Sequence, residues 1–344
     1  EAALKMAKQY HYDNGEPQRN LFIAREQSFH GNTLGALSVG GNIWRRKPFE
    51  GTLINTHHIK ACNSYRNKLD GESDESYGIR AADFLEQRIL QVGPENVAAF
   101  VAETVGGATA GVLVPPKGYF ERIREICDRY GVLLILDEVM CGMGRTGSLF
   151  AFEQESIQPD IVTMAKGLAG GYQPIGAVMC SSKIYECIDQ GYGYFQHSHT
   201  YMGHAIACAA AMSVQKTIQE ESLLTNVASM GNLLHNGLHS VFGDHPNVGD
   251  IRGRGMFRAI ELVTDRASKI PFQASSKLHE KIKHRAMEVG LMCYPGSGTA
   301  DGVNGHHVLL APPFIAQPYH IEELLDKLNY AVTTALLDVE KHHE

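Results

Sequence analysis

The sequence predicts an α/β fold, with a mostly parallel sheet flanked by helices and a smaller C-terminal α/β domain. Short aliphatic and β-branched runs alternate with helical patterns along the first two thirds of the chain. These runs are apolar almost throughout, as expected of parallel strands that are covered on both faces. A second set of strand-like and helical segments begins near residue 218, so we divide the chain into residues 1–218 and 219–344.

Five runs are the candidate strands of the larger domain. They are NLFIARE (20–26), VAAFVAET (97–104), VLLILDEV (132–139), DIVTMAK (160–166) and IGAVMCS (175–181). Between them, the residues at 77–93 and 118–131 recur at helical spacing, and the second segment ends at Gly131, a common C-cap residue. Helices between successive strands predict parallel strand pairing.

The C-terminal part begins with an Ala- and Leu-rich pattern that predicts one long helical region from His204 to Phe242. The smaller α/β domain follows it. Its segments are GDIRGRGMFRAIEL (249–262), a helix at 275–290, GLMCYP (290–295), HHVLLAPPFI (306–315) and a closing helix at 320–342.

Composition favours a cytoplasmic enzyme. The 344 residues carry a net charge of −7 without any Lys/Arg-rich block, so nucleic acid is not an expected partner. No apolar run is long enough to span a bilayer, so no membrane partner is expected either. The seven cysteines are scattered and contain no CxxC pair, which fits reduced thiols and predicts no metal site.

Ionisable residues follow three of the predicted strands. Glu103, Asp137 and Lys166 each stand where an apolar run ends. Ligands of open parallel sheets bind outside the carboxyl ends of the strands, so the three residues are expected on one functional edge. Strand ends also meet solvent and often carry charges for that reason alone. The glycines after Lys166, in AKGLAGG, leave room for a bulky group to approach the amine.

The spacing Gly142-x-Gly144-x-x-Gly147 is that of a dinucleotide-binding loop, but its context does not fit. Such a loop should follow its strand directly and open a helix. Here Asp137 to Cys141 intervene, and the residues after Gly147 are poor helix formers. A nucleotide-dependent oxidoreductase and a non-catalytic interaction protein are the alternatives from other functional classes.

A lysine and an aspartate on one sheet edge suggest pyridoxal phosphate chemistry. A lysine amine can form a Schiff base with an aldehyde. An aspartate can pair with the pyridine nitrogen and keep it protonated, which makes the ring an electron sink. Val139, two residues beyond Asp137 along the predicted strand, would face the same way and could line an apolar ring pocket.

The chain resembles the class III aminotransferases, which are pyridoxal 5'-phosphate-dependent enzymes of fold type I. The resemblance is closest to the ω-amino acid and amine:pyruvate group. The matching segments cover most of the chain in family order: SFHGNTLGALS (28–38), AETVGGATAGVLVPPKGYF (102–120), LILDEVMCGMGRTGSLFAFE (134–153), PDIVTMAKGLAGGYQPIGAV (159–178), HTYMGHAIACAAA (199–211) and LLAPPFI (309–315).

The resemblance implies catalytic roles for three residues. Lys166 corresponds to the Schiff-base lysine that also moves the substrate proton. Asp137 corresponds to the partner of the pyridinium nitrogen, and Glu103 to the family's acid near the cofactor.

The resemblance also implies four further cofactor contacts. Phe29 would stack on one ring face with His30 beside it, and Val139 would lie under the other face. Thr200 would bind the phosphate of the neighbouring subunit's cofactor, so the active sites of a homodimer would be shared. The sequence leaves open whether two dimers pair into a tetramer.

Three positions depart from related branches of the family. Met140 stands where many relatives have a glutamine that contacts the cofactor. Leu309 and Tyr294 stand where other branches carry an arginine for a substrate carboxylate, and neither side chain can grip a carboxylate through two hydrogen bonds. The family's phosphate-binding segment precedes the helix that matches EAALK, so it is expected to lie upstream of residue 1.

These features predict a ping-pong aminotransferase. It would move an amino group from an amine or ω-amino acid donor to a 2-oxo acid acceptor such as pyruvate. An aminomutase, a racemase or a decarboxylase on the same scaffold remains the alternative, because the lysine–aspartate pair does not discriminate among these reactions.

Overall fold

The computed structural model describes residues 1–340, and it divides the chain into two compact units. The large unit contains Glu1–Val105, Pro115–Met143 and Phe150–Ile218. The small unit contains Gly106–Val114, Gly144–Leu149 and the chain from Gln219 onward. Among the described residues, no helix is both long and apolar enough to cross a membrane.

The large unit is built on a six-stranded sheet in the order β2-β1-β3-β4-β5-β6. All neighbouring strands are parallel except β5 and β6, which are antiparallel, so the predicted mostly parallel sheet is confirmed. The strands are β1 (Leu21–Arg25), β2 (Thr56–Ile59), β3 (Val97–Glu103), β4 (Leu133–Asp137), β5 (Ile161–Met164) and β6 (Ala177–Cys180).

Eight helices accompany this sheet in the described chain before Glu221. They are α1 (Ala2–Asp13), α2 (Leu34–Val39), α3 (Ile43–Arg46), α4 (Ser64–Asn67), α5 (Asp74–Val92), α6 (Tyr119–Tyr130), α7 (Ser182–Gln190) and α8 (Ala205–Glu220). Local sequence sets several of their ends. The Ser73 hydroxyl accepts a hydrogen bond from the N–H of Ser76 at the start of α5. Gly131 ends α6 in the left-handed conformation, as predicted.

Helices cover both faces of the sheet, which explains why the strand sequences are apolar almost throughout. On one face, strand residues such as Ile23, Phe100 and Leu134 pack against α5 and α6. On the other face, residues such as Phe22 and Val101 pack against α1 and α7. Each large apolar side chain buried in this way contributes about 1.5–3 kcal/mol to folding.

The small unit contains an antiparallel sheet in the order β10-β11-β8-β7, and β9 pairs with β8. Its strands are β7 (Val248–Arg254), β8 (Phe257–Asp265), β9 (Ile270–Pro271), β10 (Tyr294–Ser297) and β11 (His306–Leu310). Its helices are α9 (Leu223–Phe242), α10 (Leu278–Glu288) and α11 (Pro318–Glu340). Apolar residues of the three helices and of the sheet form one continuous core.

Several sequence predictions differ from the structure. The predicted single helical region at 204–242 is two helices, because Ser222 adopts a positive φ of 52° that interrupts it. Strand β2 has no counterpart among the predicted runs. Strand β4 ends at Asp137, two residues earlier than predicted. The predicted end of the last helix, at Lys341 and His342, lies outside the described residues.

Candidate active site

Two carboxylates lie side by side at the carboxyl edge of the large unit's sheet. Glu103 and Asp137 are the last residues of β3 and β4, and the register of the parallel pair sets them opposite each other. Both are buried, with only 5% and 8% of their surfaces exposed. The expectation that strand ends bring them to one edge is therefore met by the sheet geometry.

Asp137 is held by two donors. Its Oδ1 accepts a hydrogen bond from the N–H of Val139 at 3.0 Å. Its Oδ2 lies 2.9 Å from Nδ1 of His30, and since a carboxylate can only accept, Nδ1–H is the donor. Val139 lies in the turn after β4 rather than on the strand, so the reasoning that placed it by strand alternation was wrong. The backbone N–H of Val139 is what binds Asp137 here.

Phe29 and His30 reach this edge from the loop between β1 and α2. The Phe29 N–H donates to Oε2 of Glu103 at 3.4 Å. The His30 side chain is almost completely buried against Asp137, and its Nε2 has no hydrogen-bond partner among the described residues. The structure thus brings four of the predicted site residues together: Phe29, His30, Glu103 and Asp137.

Lys166 begins a single 3-10 turn two residues after β5 ends. Its φ of +46° is unusual for a residue with a side chain and indicates local strain. A residue of α8 stabilises this turn: the Gln215 amide donates a hydrogen bond to the carbonyl of Leu168 at 2.9 Å. The Lys166 side chain is exposed, and its amine has no hydrogen bond or ion pair within residues 1–340.

Thr200 stands apart from these residues. It lies in the segment between α7 and α8, and its side chain is exposed. In the described part of the chain, no hydrogen bond joins Thr200 to Glu103, Asp137 or Lys166.

Sequence reasoning missed Arg25, the last residue of β1. Its buried guanidinium donates to the backbone carbonyl of Glu103 and lies 3.0 Å from the Cys62 sulfur. Burial alone would lower the Arg25 pKa, but the surrounding Cys62, Tyr119 and Glu103 outweigh it and raise the pKa above its ordinary value. The signal was available, because the run NLFIAR also ends in an ionisable residue.

Glu138 was also missed as an organising residue. It is fully buried, and its Oε1 accepts from the Thr104 hydroxyl at 2.5 Å and the Phe152 N–H at 3.0 Å. Its Oε2 accepts from the Ala151 N–H at 2.8 Å and lies 3.5 Å from the Cys141 sulfur. Burial raises the pKa of Glu138. This carboxylate links the turn after Asp137 to Thr104, the residue that follows β3, and to the segment that starts at Ala151.

The glycines at 142–147 do not form a dinucleotide site. No α-helix starts there, and the next helical element is a short 3-10 turn at Ala151–Glu155. Arg145 donates its guanidinium to the backbone carbonyls of Met256 and Pro312, so it serves the small unit's own packing. The rejection of the fingerprint on context agrees with this geometry.

The residues at the sheet edge fit pyridoxal phosphate. Asp137 is an oriented carboxylate, and its oxygens retain lone pairs that could accept from a pyridinium nitrogen. The amine of Lys166 is uncommitted, as a residue that bonds to an aldehyde requires. When bound, the cofactor supplies an electron sink. Asp137 would keep the ring nitrogen protonated, and Lys166 Nζ would take up and return the substrate proton.

The fold is that of a pyridoxal-phosphate-dependent transferase of fold type I. The sequence profile described as aminotransferase class-III matches residues 1–332. The chain belongs to the class III aminotransferases, which act on a small-molecule amino donor and a keto acid. The resemblance deduced from its motifs is confirmed.

Individual relatives support this assignment. An aminotransferase of Gibberella zeae is 49% identical over 341 residues, which cover 98% of this chain and 67% of that protein. Taurine–pyruvate aminotransferase of Bilophila wadsworthia is 36% identical over 340 residues, which cover 97% and 73%. The solved structure of the omega transaminase of Pseudomonas jessenii in complex with PMP superposes with a TM-score of 0.91 at 38% identity, covering 98% and 73%.

Proposed function

We propose that the chain transfers an amino group from an amine or ω-amino acid donor to a 2-oxo acid such as pyruvate, by a ping-pong mechanism. This proposal rests on one observation: the Lys166 amine has no hydrogen bond or ion pair in the described chain, and it lies in the large unit together with the buried Asp137–His30 pair. The proposed catalytic residues are Lys166, Asp137 and Glu103. Phe29, His30, Val139 and Thr200 are proposed to complete the cofactor site.

The preference for an amine or ω-amino acid donor is supported by the two substituted arginine positions. Tyr294 and Leu309 are paired across β10 and β11 of the small unit. Neither side chain can neutralise a carboxylate. A donor without a second charged group needs no such partner, since an unpaired charge is costly in a desolvated site. A monoamine is therefore the first donor to assay with pyruvate, and taurine, named with pyruvate for the relative from Bilophila wadsworthia, tests whether an anionic donor is accepted.

We also propose that the active form is a homodimer in which Thr200 serves the neighbouring site. The segment that carries Thr200 is unusually apolar for an exposed one, since 79% of Tyr201 and 72% of Met202 are accessible in the single chain. Contiguous exposed apolar residues mark interaction surfaces. A second copy that covers this surface would bring Thr200 to a cofactor phosphate.

The proposal is tested by the visible absorption of the protein with added pyridoxal phosphate, in a form of the chain that includes any upstream segment. We expect a cofactor band that an amine donor bleaches and pyruvate restores. Lys166→Ala should abolish both the band and the bleaching. Lys216→Ala, which removes an exposed lysine of α8, is the matched control and should change neither. A normal band in Lys166→Ala would refute the assigned role.

The alternative reactions on the same scaffold are separated by the fate of the 2-oxo acid. A transaminase consumes pyruvate in equal amount to the donor and forms alanine. An aminomutase, a racemase or a decarboxylase consumes donor without a net loss of pyruvate. Donor turnover at constant pyruvate would therefore exclude transamination while leaving the cofactor assignment intact.

A further inference from the structure

The ring of Phe29 carries an arginine on its face. The Arg45 guanidinium lies 4.8 Å from the centre of the Phe29 ring and 4.7 Å from the centre of the Trp44 ring. Both distances are within the range of cation–π attraction. Phe29 is the aromatic residue whose N–H donates to Glu103, so a positive charge lies one ring away from the candidate active site.

The backbone places Arg45 there by a short tertiary pairing. The Gln27 N–H donates to the Gly41 carbonyl at 3.2 Å, and the Gly41 N–H donates to the Ser28 carbonyl at 3.0 Å. This approach requires glycine at 41, because an added Cβ would lie 2.2 Å from the Arg25 carbonyl oxygen. Asn42 then caps α3 by accepting the Arg45 N–H at 3.3 Å.

The Arg45 side chain has no hydrogen bond and no ion pair within residues 1–340. Two other arginines of the large unit are instead paired with carboxylates. Arg80 donates to Glu72 at 2.7 Å, and Arg122 donates to Asp83 at 2.8 Å. Stacking on rings holds the plane of the Arg45 guanidinium but uses none of its N–H donors. The group is therefore oriented, only half exposed and still able to bind a planar anion.

We propose that Arg45 binds the carboxylate of the 2-oxo acid acceptor. A guanidinium presents two parallel N–H donors that match a carboxylate, which neither Leu309 nor Tyr294 can do. The Arg45 guanidinium lies against Phe29, and the Phe29 N–H donates to Glu103. An acceptor bound to Arg45 would therefore have its carboxylate close to the proposed catalytic residues. This inference rests on the proposed transaminase function.

The kinetic test compares pyruvate with propanal, a three-carbon acceptor that has no carboxylate. For Arg45→Gln we expect the KM for pyruvate to rise about 10- to 100-fold, as for the loss of a charge-assisted hydrogen bond. The KM for propanal, which lacks the carboxylate, and the bleaching rate with a carboxylate-free amine should stay within twofold. Arg45→Lys should recover part of the effect, since it restores the charge but not the fork.

Lys47→Gln is the matched control, because it removes an exposed positive charge two residues away without touching the Phe29 ring. It should leave both acceptors unaffected. Equal losses for pyruvate and propanal in Arg45→Gln would show a structural role and overturn the proposal. An unchanged KM for pyruvate would overturn it as well.

A binding measurement makes the test independent of turnover. Trp44 is the only tryptophan of the chain, it is 57% exposed, and it packs against Arg45. Titration with propanoate at constant ionic strength should change its fluorescence saturably in the wild type and in Lys47→Gln, but not in Arg45→Gln. An absent response in the wild type would overturn the carboxylate site. If propanoate changes the Trp44 fluorescence as expected but the protein consumes no pyruvate, the carboxylate site stands and the proposed transaminase function is wrong.

Discussion

Replacing Glu138 by glutamine should destabilise the protein although the two side chains have nearly the same shape. The carboxylate has two acceptor oxygens, and each receives one backbone N–H, from Phe152 and from Ala151. Glutamine keeps one acceptor and turns the other position into an NH₂ donor. In either orientation, one buried backbone N–H faces another donor, which costs about 1–3 kcal/mol. The Thr104 hydroxyl can rotate to accept, so it adds little to the loss.

The assay is urea unfolding followed by far-UV circular dichroism, with Glu153→Gln as the control. Glu153 lies in the same 3-10 turn as Ala151 and Phe152, but it is exposed. Its substitution should therefore change the unfolding free energy by less than about 0.5 kcal/mol. Equal stability of the two variants would refute the reasoning. It would mean that Glu138 is protonated in the folded protein and already donates one hydrogen bond, as glutamine would.

Two other substitutions test the surroundings of the site. Burial and, to a lesser extent, the nearby Arg46 guanidinium lower the pKa of His58 from 6.5 to about 4. Between pH 6.5 and 4, His58 is therefore protonated in the unfolded chain but neutral in the folded protein. The stability that neutral His58 provides is present above pH 6.5 and is lost as the pH falls through about 4. Between pH 7 and 5 the unfolding free energy of the wild type should therefore fall by about 2 kcal/mol more than that of His58→Gln. Gln215→Leu leaves the Leu168 carbonyl without its donor. Because the Lys166 turn is then less constrained, we expect this variant to lose bound cofactor faster. Dialysis followed by absorption measures the rate of loss. An unchanged rate would show that the turn does not depend on the Gln215 hydrogen bond.

The position of the site could be predicted from the sequence because it depends on a short-range pattern. An apolar run that ends in a charge predicts a strand end, and parallel strands share one edge. That rule located Glu103 and Asp137. Applied without exception it would also have found Arg25, whose run ends in the same way. Arg25 was missed because an arginine suggests no step of the expected chemistry, although it fixes the Glu103 backbone.

Features that depend on tertiary contacts could not be predicted in this way. The break at Ser222 has no glycine or proline to mark it, and both flanking segments are good helix formers. Strand β2 contains His57 and His58, so its sequence THHI lacks the apolar character of the other strands, and it forms by pairing with β1 at the edge of the sheet. The positive φ of Lys166 is imposed by the surrounding turn rather than by its own preference.

The geometry of the site separates groups that are held from groups that are free to bind. Asp137 is fixed by His30 and by a backbone N–H, while Glu103 is fixed on its backbone by a buried guanidinium and receives the Phe29 N–H. Such groups keep their orientation when a ligand enters, so little reorganisation is needed during the reaction. The Lys166 amine and the Arg45 guanidinium lack hydrogen bonds and ion pairs throughout the described chain. Lys166 would engage the reacting carbonyl or amine of a bound ligand, and Arg45 would engage its carboxylate. The predicted loss of pyruvate binding, but not of propanal binding, in Arg45→Gln follows from this division.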